Sequence, residues 1–248
     1  MRSLVFLAAL GLVPRIVAPT PAPATLTASD GVAIAADVYA GPSPLAPVIL
    51  LFHQAGSGKG EYATIAPRLV ILGYNAVAID QRSGGDLYPP PNTTVARLGH
   101  NAPFLDVLRD MEAALAYAKR TFPRAPVFVW GSSYSASLGI ALAAGHPRDV
   151  GAVLAFSPGE YFANKRFARD AARRIHVPFF VDSASDAAEE RAAREVVDAS
   201  PASLRVDYVP HAGIHGSSTL RDDKNAAGAA ENWNAVTSFL TRVRESGP

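Results

Sequence analysis

The sequence predicts an α/β fold: a mostly parallel sheet of about eight strands, covered by helices on both faces. Three observations predict it. Short apolar runs alternate with helical patterns along most of the 248 residues. Several of those runs, such as Val48 to Phe52 and Val150 to Phe156, are apolar throughout, as strands buried on both faces must be. At 49% hydrophobic and 18% charged residues, the chain has enough apolar material for one large core and is not a disordered polymer.

The elements follow in order. Thr25 to Ser29 and Val32 to Tyr39 flank Asp30-Gly31, the signature of a tight hairpin, which gives the sheet an antiparallel edge. Val48 to Phe52 is a strand, Glu61 to Leu72 a helix stopped at Gly73, and Ala76 to Ile79 the next strand. A loop rich in Gly and Pro runs from Gln81 to Pro103, before a helical pattern over Phe104 to Phe122. Val127 to Trp130 is a strand and Tyr134 to Ala144 a helix ended by Gly145 and Pro147. Strands at Val150 to Phe156, Val177 to Val181 and Leu204 to Val209 alternate with a helix over Ala187 to Val197, and a helix over Ala226 to Val243 closes the chain. No repeat or internal linker divides it, so residues 25–248 read as a single domain.

Residues 1–24 read as a signal peptide. Arg2 precedes the apolar run Leu4 to Val13, which is too short to span a bilayer, and Ala22-Pro23-Ala24 offers a small-residue cleavage pattern. An exported chain, periplasmic or secreted, with no integral membrane segment once mature is expected. The net charge of +1 provides no footprint for nucleic acid. The absence of cysteine excludes disulfides, thiolate metal sites and a cysteine nucleophile.

The chemistry concentrates at Gly131-Ser132-Ser133-Tyr134-Ser135, between a strand and a helix. A tight strand-to-helix turn exposes a central serine only if the residues two before and two after it are small. Ser133 meets that condition, with Gly131 and Ser135, whereas Ser132 would be flanked by Trp130 and Tyr134. The bland alternative is a serine that caps the helix.

A serine hydroxyl needs a base, and the base an orienting carboxylate. His215, in the small-residue loop after the last strand, is the preferred base over His211. Asp186, past the strand ending at Val181, is the preferred carboxylate over Glu160 and Asp182, though Asp186 would also suit a helix N-cap. An oxyanion needs two N–H donors. The backbone of Tyr134 is one, and Gln54 or Ala55, in the loop after Val48 to Phe52, is the other. His53, Tyr88 and Tyr161 are possible substrate-binding residues. A phosphate-gripping loop is disfavoured, because Lys59 follows only a Gly-Ser-Gly turn.

With these residues in place, the chain resembles the α/β-hydrolase superfamily over nearly all of its length after residue 25. The order Ser133, Asp186, His215 is that family's order, and His53-Gln54-Ala55-Gly56 is similar to its oxyanion motif. Asp80 to Gly85 and Ser157 to Tyr161 look most like small dienelactone-hydrolase-like proteins, whose true members use the cysteine this chain lacks. The resemblance implies a serine esterase without cofactor or metal, acting on a small-molecule ester. A peptidase or amidase with the same triad, or a silent fold used for binding, are the alternatives. Only about twenty residues separate Phe156 from Val177, so no large lid is expected. The oligomeric state is not legible.

Overall fold

The computed structural model describes residues 19–246. One eight-stranded sheet organises the chain: β1 (Ala22–Thr27), β2 (Ala33–Tyr39), β3 (Val48–Phe52), β4 (Asn75–Ile79), β5 (Val127–Ser132), β6 (Val150–Phe156), β7 (Phe179–Asp182) and β8 (Arg205–Tyr208). Their spatial order is β1-β2-β4-β3-β5-β6-β7-β8. The β1–β2 hairpin is antiparallel and joins β4 antiparallel, while β3 to β8 run parallel. The predicted fold class is the observed one.

Alternation of side chains across a strand sorts the core into two layers. Val48, Leu50, Phe52, Val129, Val153 and Val181 face one side. There they meet α3 (Leu108–Thr121), α4 (Tyr134–Gly145), α5 (Phe167–Ala172) and α6 (Ala187–Asp198). Ile49, Leu51, Trp130, Leu154 and Phe180 face the other, against α1 (Ile65–Ile71) and α7 (Ala229–Ser246). Trp130 stacks on Phe156 at 4.5 Å between ring centres and touches Trp233 of α7. α4, central on its layer, is buried on nearly every side and is built largely of small residues.

Three local differences from the sequence reading have physical reasons. The helix expected from Glu61 splits into a 3-10 turn (Lys59–Tyr62) and α1. Pro67 explains the split, since it lacks an N–H and its ring would collide with the carbonyl four residues earlier. The Gln81 to Pro103 loop contains α2 (Thr93–Leu98), capped by the Asn92 side chain and ended by Gly99 at φ 75°. α5 lies between β6 and β7 in the chain, a helix the sequence reading lacked, and packs its alanines on α4.

The strand β1 begins at Ala22, so it reaches three residues into the segment expected to be cleaved. Arg2 and the Leu4 to Val13 run lie outside the described residues. Among the described residues no helix is long and apolar enough to cross a membrane.

Candidate active site

The carboxyl ends of β3 to β8 form one rim, where an open parallel sheet gathers its reacting groups. Ser133 sits at the end of β5 with φ 60° and ψ −127°, a backbone conformation rare for a residue with a side chain. That turn requires Gly131, since a Cβ there would overlap the Ser135 carbonyl and the Ala136 backbone. Ser135 occupies the position where a second glycine is usual, and its hydroxyl has a task. It donates to the His53 carbonyl at 2.6 Å and accepts from Gln81 Nε2 at 2.7 Å.

His215 Nε2 lies 2.8 Å from Ser133 Oγ. On its other face, Nδ1 is 2.7 Å from Glu189 Oε1. The structure therefore brings Ser133 and His215 together as expected, and corrects the carboxylate. Asp186 does not reach His215. It is the N-cap of α6, and its Oδ1 accepts the N–H groups of Ala188 and Glu189 at 3.0 and 3.2 Å. Glu189 stands three residues on, where a helical side chain leans toward the N-terminus and so toward the rim of the sheet. Burial acts to raise its pKa, but hydrogen bonds from His215 and Ser157 outweigh this and hold the carboxyl below its usual value.

The sequence held a signal against Asp186, though none that joined Glu189 to His215. Asp186 stands just before the helical run Ala187 to Val197, an N-cap position that commits its carboxylate to the helix backbone and leaves Glu189 as the next carboxylate along the chain. The other carboxylates weighed are engaged or enclosed. Glu160 accepts the backbone N–H groups of Ala168 and Arg169 at the start of α5. Asp182 is buried with neither oxygen hydrogen-bonded, and burial holds its pKa well above the usual range. His211 is exposed and pairs with Glu231 at 2.7 Å.

Hydrogen bonds fix the peptide planes of the loop after β3. In a trans peptide the C=O and N–H point in opposite directions, so a partner for one fixes the other. The His53 carbonyl takes the Ser135 hydroxyl, and the next N–H, of Gln54, donates to Glu61 Oε2 at 2.9 Å. The Gln54 carbonyl takes a bond from His53 Nδ1 at 2.8 Å, which turns the Ala55 N–H the opposite way. Of the two donors expected, Gln54 is thus committed elsewhere and Ala55 is free. Tyr134 opens α4, where the N–H groups of the first turn have no partner within the helix.

His53 is not a substrate-binding residue. It is fully buried, its Nε2 accepts the Gln81 N–H at 3.0 Å, and burial pulls its pKa down to about 4, so it stays neutral with the proton on Nδ1. Tyr88 is also internal: its hydroxyl bonds to Ser218 and the Arg221 guanidinium lies 4.5 Å over its ring. Tyr161 does stand at the site, beside Ser133, with its hydroxyl donating to the Ser157 carbonyl at 2.8 Å and its pKa raised by burial to about 12.

A cleft of about 470 Å3 opens on the β3/β4 side of the rim, with Ala55, Gly56, Ser83, Ala102, Pro103 and Phe104 in its walls. Phe104 stacks on Tyr134 at 4.1 Å. A larger cleft, about 640 Å3, lies at the opposite end of the sheet around Pro126, Gly151 and Pro178, far from Ser133. Glu189 and His215 come from the β7/β8 side, so the cleft beside Ala55 lies across Ser133 from the imidazole.

Comparison with known proteins agrees with this architecture. The family described as serine aminopeptidase, S33, matches residues 43–205. No curated protein matches the chain. Among solved structures, a dienelactone hydrolase from Anabaena variabilis shares 12% identity at a TM-score of 0.71, over 91% of this chain and 98% of its own. The esterase Pf2001 of Pyrococcus furiosus shares 18% at 0.65, over 94% and 96%. Est1E from Butyrivibrio proteoclasticus, bound to ferulic acid, shares 13% at 0.71, over 90% and 99%.

Proposed function

Since the chain belongs to the serine aminopeptidase S33 family of α/β hydrolases, we propose that it is a serine esterase working through an acyl-enzyme. Ser133 Oγ attacks the ester carbonyl while His215 Nε2 takes its proton. Glu189 keeps Nδ1 protonated and steadies the imidazolium that forms. The N–H groups of Ala55 and Tyr134 hold the developing oxyanion, the latter helped by the helix N-terminus. His215 then gives its proton to the leaving alkoxide, and a water activated by the same imidazole releases the acid. The observation that carries this reading is the continuous Ser133–His215–Glu189 hydrogen-bond chain at a strained serine turn.

The leaving group must depart beside His215, which directs the acyl group toward the cleft at Ala55. That cleft, with Phe104 and Pro103 in its walls, suits an apolar acyl chain. An aminopeptidase reading is supported by the family's description. It would need a carboxylate for the substrate's amino group, and the described residues lining the cleft include none. The bond type is tested with p-nitrophenyl esters of increasing acyl length alongside aminoacyl p-nitroanilides. Faster turnover of the anilides overturns the esterase reading. A fluorophosphonate probe tests the nucleophile: labelling that persists in Ser133→Ala overturns it.

We also propose that the protein is exported, on the strength of Arg2 and the apolar run after it. Sequencing the N-terminus of the protein made in its own cell tests this, and an uncut chain retained in the cytoplasm overturns it.

A further inference from the structure

The chemistry above makes no use of Glu61, yet this carboxylate lies where three loops of the site meet. It is fully buried on the 3-10 turn that follows the oxyanion loop. Its Oε2 accepts the Gln54 N–H, while Oε1 makes no hydrogen bond. The hydroxyls of Ser57 and of Ser132, the nucleophile's neighbour, lie close by. Arg221, from the segment after His215, does not pair with the carboxylate. It donates instead to the Gly60 and Glu61 carbonyls, at 3.1 and 2.8 Å, and so clamps the turn that carries it.

A buried carboxylate with one oxygen unpaired is costly to a fold. What the carboxylate does supply is the acceptor for the single N–H that would otherwise compete with Ala55 for an acceptor on the open side of the loop. We propose that Glu61 is a positioning residue for the oxyanion site, holding the Gln54 N–H inward so that the Ala55 N–H faces the substrate carbonyl. It touches no reacting atom. The inference rests on the acyl-transfer reading, and it adds a residue that the nucleophile, base and acid do not reveal.

The test compares Glu61→Gln, Glu61→Asp and Glu61→Ala on one p-nitrophenyl ester and on the trifluoromethyl ketone with the same acyl group, which forms a tetrahedral oxyanion. Glu61→Ala should lower kcat on the order of 10²-fold with KM changed less than about 3-fold, and weaken the ketone in proportion to kcat. Glu61→Gln keeps an acceptor at the same reach and should stay within about 10-fold of wild type. Glu61→Asp keeps the charge but draws the acceptor back, and should fall below Glu61→Gln. Where Glu61→Ala does not fold, the order of the other two decides. A kcat unchanged in a folded Glu61→Ala, a loss confined to KM, or Glu61→Asp equal to or better than Glu61→Gln each overturns the proposal. Wild type that neither hydrolyses an ester nor labels with a fluorophosphonate overturns the acyl-transfer reading, and this proposal with it.

Discussion

The two sides of the candidate site are built differently. On the β3–β5 side, Ser133, His53, Gln54, Glu61, Gln81 and Ser135 are buried, and a network of internal hydrogen bonds ties the loops together. On the β7–β8 side, the His215 and Glu189 side chains are 40% and 30% exposed and meet each other at 2.7 Å. Donors that must meet a transient charge work best fixed in advance, because any reorganisation at the moment of reaction adds to the barrier. A base that takes and returns a proton instead needs room for leaving group and water. The buried side is therefore a matter of backbone geometry, and the open side a matter of two side chains.

The sharpest way to break this comparison is on the reacting chain itself. Ser133→Ala or His215→Ala should lower kcat on p-nitrophenyl esters by about 10⁴-fold or more, with the folded state intact by circular dichroism. Next comes the pair Glu189→Gln and Asp186→Ala. The first should cost on the order of 10³-fold in kcat, through loss of the imidazole's orientation. The second should leave kcat within about 3-fold and cost about 1 kcal/mol of stability, as loss of a helix cap does. A reversal of that pair would restore Asp186 to the role expected from the sequence.

On the buried side, the effect should appear as pH-dependent stability. Burial raises the Glu61 pKa from 4.5 to about 7. Its folded state therefore holds the proton more tightly than its unfolded state. The resulting stabilisation is complete below pH 4.5 and is lost as pH rises through about 7. Its size is on the order of 3 kcal/mol. Replacing Glu61 by Gln should flatten the denaturant-measured stability between those limits, and an unchanged slope would show that Glu61 is ionised throughout. A further loss of stability is expected in Ser135→Gly. It rebuilds the commoner small-residue pattern around Ser133 but strips partners from the His53 carbonyl and Gln81, at about 1–3 kcal/mol.

The legible part of the site was the part encoded by local geometry. Gly131 and Ser135 flank Ser133 because the turn admits nothing larger, and that constraint is visible in five residues. His215 was legible as a histidine after the last strand, and the free Ala55 donor was one of two possibilities. Asp186 and Glu189 were not separated, because both follow β7 and both are carboxylates. The difference is that one is consumed by the first turn of α6 and the other is lifted toward His215 by the helix. His53 and Tyr88 read as possible substrate-binding residues, but the loop after β3 and the Tyr88 segment fold inward onto Gln81, Ser218 and Arg221.

By itself the sequence determined the layered α/β architecture, the antiparallel hairpin edge and the small-residue turn that carries Ser133. Each of these follows from periodicity, turn chemistry or segment length, which act between residues close along the chain. Which carboxylate meets His215, and which N–H of the loop after β3 is left without an internal partner, were decided only by tertiary structure. Those assignments depend on which donor meets which acceptor across 26 residues, in the case of Glu189 and His215, or 82, in the cases of His53 with Ser135 and His215 with Ser133. Hydrogen bonds of that kind are written by the sheet order, which brings the ends of β3, β5, β7 and β8 to one rim.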